Sequence, residues 1–185
     1  MERENHITPE FRRLLHDQQE RLKELACINQ TTYILKEGKP VEETLQQVAL
    51  ILPAAWQYPE YTVARICYMD NIFESGEFQE TKWRMVQDFY TIDNERGKIE
   101  VFYTKEFSSE DEGPFLKEER DLIFNIASLI TGYINSYKAR DAIRSAFTGK
   151  DEEDDFRETP SKILLQKFLD RHNAERDVFH DLQPF

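Results

Sequence analysis

Few side chains in this sequence are placed to do chemistry, and each can be weighed from its neighbours. Leu14-Leu15-His16-Asp17-Gln18-Gln19 sets an imidazole beside a carboxylate on a predicted helix. Such a pair could accept a phosphoryl group on His16, but only with an ATP-binding domain to serve it. No glycine-rich nucleotide lid occurs in the sequence, and a surface histidine is the simpler reading. His6, His16, His172 and His180 have no i,i+4 pairing among themselves and no cysteine beside them, so no metal site is predicted. The Gly-Lys-Ser/Thr, Gly-x-Ser-x-Gly and His-Glu-x-x-His patterns are absent, and six glycines leave little backbone to cradle phosphate. Cys27 and Cys67 fall in a predicted helix and a predicted strand and read as buried, reduced thiols of a cytoplasmic protein. The residues predict no catalytic apparatus and no cofactor.

Arg65 is the polar residue that most needs an explanation. It stands at the centre of residues 61–69 (YTVARICYM), a run rich in β-branched and aromatic side chains with apolar residues at both parities. That is the pattern of a strand covered on both faces. A guanidinium cannot be neutralised by losing a proton, so burying it requires an anion. A ligand carboxylate or phosphate could supply one, in a pocket between sheet and helices lined by Trp56, Tyr61, Trp83, Phe89 and Tyr103. A salt bridge across the sheet to Asp88 or Glu100 could supply it instead, or Arg65 could be exposed. The aromatic residues, lying at strand parity, read first as core.

The elements that must position these residues follow from periodicity and punctuation. Residues 9–37 are predicted helical, stopped by Gly38-Lys39-Pro40. Within them Phe11, Gln18, Leu25 and Thr32 share one heptad position and Leu15, Leu22 and Asn29 the other, a coiled-coil seam diluted with polar residues. An ordinary amphipathic helix lying on its own domain would also fit. A second helix spans 41–56 with Val41, Leu45, Val48 and Leu52 on one face and Pro53 near its end. Strands are expected at 61–69, 72–78, 83–92 and 98–105, the last pair joined by a hairpin loop over 93–97 that ends in glycine. Pro114 opens a long helix over 115–147. Leu122, Ile126, Leu129, Tyr133, Ser136, Ile143 and Phe147 mark one stripe on it, and Ile123, Ile130, Ile134 and Tyr137 a second. Two stripes call for two partners, the sheet and another helix.

The expected fold is α+β: an antiparallel sheet flanked by helices, with long N- and C-terminal helices. The parts are an N-terminal helix (1–40), a domain (41–148), an acidic linker (149–158) and a C-terminal helical segment (159–185) leading toward a further effector domain. A net charge of −12 and pI ≈ 4.9 disfavour nucleic acid and anionic membrane as partners. No apolar run reaches the ~18 residues of a bilayer span, and the N-terminus has no apolar signal core.

With that order in place, the chain resembles the GAF family of small-molecule sensor domains. The likeness is carried by 21–29 (RLKELACIN), 44–59 (TLQQVALILPAAWQYP) and 112–123 (EGPFLKEERDLI). These look like GAF-type input modules ahead of histidine kinases. They look still more like those of bacterial proteins related to phosphoenolpyruvate synthase and pyruvate phosphate dikinase. The resemblance implies sensing or regulation by a homodimer whose flanking helices carry the signal. Leu15, Leu22 and Leu25 would meet a partner on the first helix, and Leu129, Tyr133 and Ile143 on the last. The Asn-Lys…Phe-x-x-x-Asp-Glu signature of cyclic-nucleotide binders is missing, no cysteine suits bilin attachment, and the synthase's phosphohistidine and ATP-grasp motifs are absent. Some GAF-fold proteins reduce methionine sulfoxide with cysteines, which here would require Cys27 and Cys67 to be exposed and within reach of each other. A ligand-free dimerisation or docking scaffold is the alternative to a sensor.

Overall fold

The computed structural model describes residues 8–148. The acidic linker and the C-terminal helical segment expected from the sequence lie outside the described residues.

Helix α1 (Pro9–Lys36) is capped by Thr8, whose hydroxyl accepts the Phe11 amide at 3.4 Å, and Pro9 takes the first helical position. It ends where Gly38 adopts a φ of +67°, a conformation a residue with a Cβ resists. Helix α2 (Val41–Ile51) buries Val41, Thr44, Leu45, Val48 and Ala49, one face at helical spacing. It stops five residues short of the predicted end. Pro53 has no amide to donate, so residues Leu52–Ala55 tighten into a 3-10 turn that still buries Leu52 and Ala55. A second short turn, Pro59–Tyr61, leads into the sheet.

The sheet has four antiparallel strands in the order β2-β1-β4-β3. They are β1 (Thr62–Tyr68), β2 (Asn71–Glu74), β3 (Arg84–Tyr90) and β4 (Arg96–Tyr103). Strand β2 is shorter than the predicted 72–78. At Ser75 the side-chain Oγ, not a backbone carbonyl, accepts the Ala64 amide at 2.9 Å, and the ladder ends there. Strand β4 begins two residues earlier than expected, so Gly97 lies within the strand, paired with Tyr68 and Phe89, and not in the hairpin loop. The loop itself is closed by Thr91, whose amide and carbonyl bond Glu95 and Asn94.

Strand β1 is not covered equally on its two faces. Thr62, Ala64, Ile66 and Tyr68 are buried, while Val63, Arg65 and Cys67 alternate with them at partial exposure. The buried face meets α2 and α3 (Lys117–Thr148) through Leu45, Val48, Ile99, Val101, Ile126 and Ile130. Among the described residues the other face receives the connection between β2 and β3, where Phe78 sets its ring edge-on to Phe102 at 5.1 Å. Helix α1 forms a third layer, lying on α2, α3 and the 52–55 turn.

Helix α3 starts at Lys117, two residues later than predicted, because Gly113 and Phe115 first form isolated bridges with Glu110 and Glu112. Its first turn is closed by Glu119, whose Oε2 accepts the Leu116 amide at 2.8 Å. Further along, α3 is tied to the β3–β4 hairpin. Asn135 Oδ1 accepts the Ile92 amide at 2.9 Å, and the Lys138 ammonium pairs with Asp93 at 2.5 Å and with Glu95, which also accepts from Tyr68 Oη.

Candidate functional site

The residues predicted to line a ligand pocket fall on both sides of the sheet. Trp56 and Tyr103 are fully buried on the helix side, and Phe89 lies beside Tyr68 on the same face, its ring over Gly97. Tyr103 stacks on Phe115 at 4.6 Å between ring centres and donates to Glu119 Oε1 at 2.8 Å. Trp83 packs half-buried at the margin of this core, and Tyr61 is exposed against Phe107 at 5.7 Å. Arg65 lies on the opposite face. The six therefore do not surround one space; strand alternation sends the aromatics inward and the guanidinium outward.

Arg65 finds its anions within the chain. Its Nε lies 2.5 Å from Glu100 Oε2 and its Nη2 2.6 Å from Glu80 Oε1, while its plane covers Phe78 and Phe102 at 4.7 and 5.5 Å. Arg65 and Glu100 are register partners on adjacent strands, one of the pairings expected from the sequence; Asp88 instead pairs with Arg96 at 3.0 Å. Glu100 is 1% exposed and also meets Lys98 at 3.0 Å and Arg84 at 3.8 Å. Burial opposes its ionisation, but the hydrogen bonds from Arg65 and Lys98 outweigh that and hold its carboxyl below the usual range.

Glu119, which sequence reasoning missed, is buried as well, at 2% exposure. It accepts from Gln57 N, Tyr103 Oη and Leu116 N, all at 2.8 Å, and burial still pushes its pKa up. Glutamate three residues into a helix is an ordinary sequence feature; the buried Tyr103 that claims it comes from a distant strand. Cys27 is buried on the domain side of α1, its thiol pushed up to about 11 by desolvation. Cys67 sits half-exposed on the outer face of β1, so the sheet stands between the two thiols.

The remaining predicted positions concern helix faces. Tyr133 is buried, its hydroxyl bonded to Thr44 Oγ1 at 3.1 Å and to the Lys39 carbonyl, and Leu129 packs partly against the core. Ile143, near the end of α3, is exposed. On α1 the arrangement is different. Leu15, Leu22 and Leu25 are 43%, 65% and 55% exposed, and Phe11 and Leu14 are exposed with them. The side of α1 turned toward the domain carries Glu20, Cys27 and Thr31, all buried, and half-buried Ile34. The helix thus packs through a mixed polar face and presents its leucines outward, the reverse of a surface helix with no partner.

Carboxylates crowd where α1 crosses the start of α3. Desolvation, and then Glu118, Glu20 and Asp121, raise the Glu24 pKa against the opposing influence of Arg21. A carboxyl raised in the folded state contributes stability that is present below its unfolded value of about 4.3 and is lost as pH rises through the folded one. Glu118→Gln is therefore expected to raise stability at pH 7 by ~0.3–0.5 kcal/mol, a figure already reduced for solvent screening. The gain over the unsubstituted protein should fade by pH 4. Paired thermal melts across that range check it, and a gain independent of pH would show that charge is not its cause.

Comparison with protein-family models, curated proteins and solved structures finds no match to the chain. Among the described residues no helix is long and apolar enough to cross a membrane.

Proposed function

We propose that this chain is a regulatory module with no chemistry of its own, a GAF-like scaffold that acts by dimerising through its flanking helices. The observation that carries the reading is the outward apolar stripe of α1, Phe11, Leu15, Leu22 and Leu25, exposed on the side away from the domain. Four large apolar side chains held in water along one line are what a partner helix would bury. The commitments of the buried acids support the non-catalytic part, beginning with Glu20, which pairs with Lys23 at 2.9 Å. Glu119 spends its oxygens on three hydrogen bonds that hold the start of α3, and Glu100 on cations of the sheet.

The interior also favours a scaffold over a sensor with its ligand under the sheet, because Trp56, Tyr103, Phe115 and Met85 fill that space with almost no exposure. A small molecule would have more room in the open groove between α1 and α3, about 420 Å³ beside Leu35, Leu129, Gly132 and Tyr133. Native mass spectrometry of the purified chain before and after unfolding tests that second reading, since a bound molecule would leave on denaturation. In either case an effector can bias the helices only by binding one arrangement better than another.

Leu22→Glu is expected to convert a dimer into a monomer while leaving the monomer's stability within about 0.5 kcal/mol, because the side chain has no core contact to lose. Sedimentation velocity and thermal melting of both proteins check this. An unsubstituted chain that sediments as a monomer at every attainable concentration would sink the proposal.

A further inference from the structure

The α1 seam carries more information than its apolarity. Leu15, Leu22 and Asn29 recur every seven residues, and Phe11, Gln18, Leu25 and Thr32 recur between them. With alternating steps of four and three, the first set occupies a positions and the second d positions of one heptad register. All of these side chains except Thr32 are exposed, and the side of the helix opposite them, through Glu20, Cys27 and Ile34, faces the domain. The seam is therefore turned away from its own fold over about 33 Å of helix. A seam of 3.5-residue period is matched along its length by another helix of the same period, and α1 of a second copy provides one.

Building on the dimerising reading above, we propose that two copies of α1 form a parallel, in-register coiled coil in which Asn29 pairs with Asn29 across the twofold axis. Three observations favour this arrangement over an antiparallel one. Parallel pairing sets Phe11, Leu15, Leu22 and Leu25 each against its own counterpart, so every apolar layer is apolar on both sides. The fully overlapped antiparallel alignment keeps Leu22 against Leu25 but sets Leu15 against Thr32, Phe11 against Lys36 and Asn29 against Gln18. Second, an asparagine amide is both donor and acceptor, so two related by a twofold axis satisfy each other, which fixes register at some cost in stability. Third, the flanks agree. Between successive heptads Leu14 of one copy meets Gln19 of the other, Arg21 meets Ala26 and Ile28 meets Tyr33, so no like charges face each other on the flanks; the one like-charge layer is Lys36 against Lys36, at the last turn of the helix.

The direction of α3 gives the arrangement its consequence. Helix α3 runs alongside α1 in the same sense, with Glu24 near Glu118 and Asp121, then Leu35 and Lys36 beside Leu129 and Ser136, and Gly38 against Arg140. It continues two turns past the end of α1, carrying exposed Ile143. A parallel pair delivers both of these ends to one end of the dimer, whereas an antiparallel pair would send them to opposite ends.

Disulfide trapping of the full chain tests the proposal. In a Cys67→Ser background, with Cys27 left buried, Leu15→Cys is expected to form a covalent dimer on mild oxidation at least tenfold faster than Gln30→Cys, a position off the seam. In the antiparallel alignment two Leu15→Cys residues would stand ~25 Å apart and could not join. There only a mixture of Leu15→Cys with Thr32→Cys chains would cross-link, a result that overturns the parallel arrangement and leaves the dimerising reading standing. A chain that stays monomeric, with Leu15→Cys no faster than Gln30→Cys, overturns both. Asn29→Leu is expected to broaden a single dimer boundary in sedimentation into a mixture of oligomers. A variant that remains a single dimer would remove the register role from Asn29.

Discussion

Arg65→Ala is expected to lower the free energy of unfolding by about 3 kcal/mol, the cost of stranding a buried charge. Glu100 is the charge stranded. Its side chain is 1% exposed, and Arg65, at 14%, is the most shielded of the cations around it. Lys98 and Arg84, at 36% and 55%, remain to compensate in part, and the contact with exposed Glu80 contributes little. The substitution also uncovers Phe78 and Phe102, on which the guanidinium lies. Replacing both partners, Arg65→Leu with Glu100→Leu, should recover most of the loss, since apolar residues of similar size leave no charge to desolvate. The pH dependence has a definite sign. A carboxyl held low in the folded state contributes stability that is present above its unfolded pKa, about 4.3, and is lost as pH falls through the folded value. The gap between Arg65→Ala and the unsubstituted protein should therefore be widest near neutrality and should close below pH 4. Urea titrations at several pH values would measure it, and a loss under ~1 kcal/mol at pH 7 would mean that Lys98 and Arg84 suffice. If Arg65 instead anchored a ligand, the substitution would change affinity and leave the melting of the free protein alone.

Gly97→Ala should be comparably damaging, by about 3 kcal/mol, for a steric reason. The Phe89 ring lies over Gly97 from the neighbouring strand, and a Cβ built on the glycine would stand well inside van der Waals contact of Phe89 Cζ. Phe89 is 5% exposed and lies beside Tyr68 on the far side of Gly97, at 6.2 Å between ring centres, so it has little room to swing aside. In a Phe89→Leu background the same substitution should cost far less, because the ring it displaces is gone. Chemical denaturation of the four proteins of that cycle gives the coupling directly. An effect of Gly97→Ala within ~0.5 kcal/mol would show the ring to be free to move.

Much of the architecture could be read from local pattern. The helical spacing of Val41, Leu45 and Val48, the alternation of residues 84–90 and the stop at Gly38 each placed an element within a few residues. The Arg65–Glu100 pair was among the alternatives because residue types alone required an anion. What could not be read was decided by contacts between distant segments. Tyr133 belongs to a heptad stripe, yet on a straight helix of 3.6 residues per turn that stripe drifts by about 20° per heptad. It faces the core at Leu122 and Ile126 and turns outward by Ile143, with Tyr133 still on the buried side. Glu119 looked like any acidic residue in a first helical turn until Tyr103, from the sheet, was found against it. Gly97 looked like a loop glycine because nothing near it in sequence announces the Phe89 ring.

The clasp of Lys138 on Asp93 and Glu95 also sets where α3 can move. Up to that residue the helix is held by the sheet, its hairpin and its own buried side chains; past it, the last ten residues to Thr148 form an arm that buries only Ala142 among its described side chains. The clasp is then a fulcrum. A tilt of about 10° there would carry the end of the arm ~2.6 Å sideways over its ~15 Å length, so a small rearrangement at the hairpin would be magnified along α3, restrained past the clasp by Arg140 against Gly38.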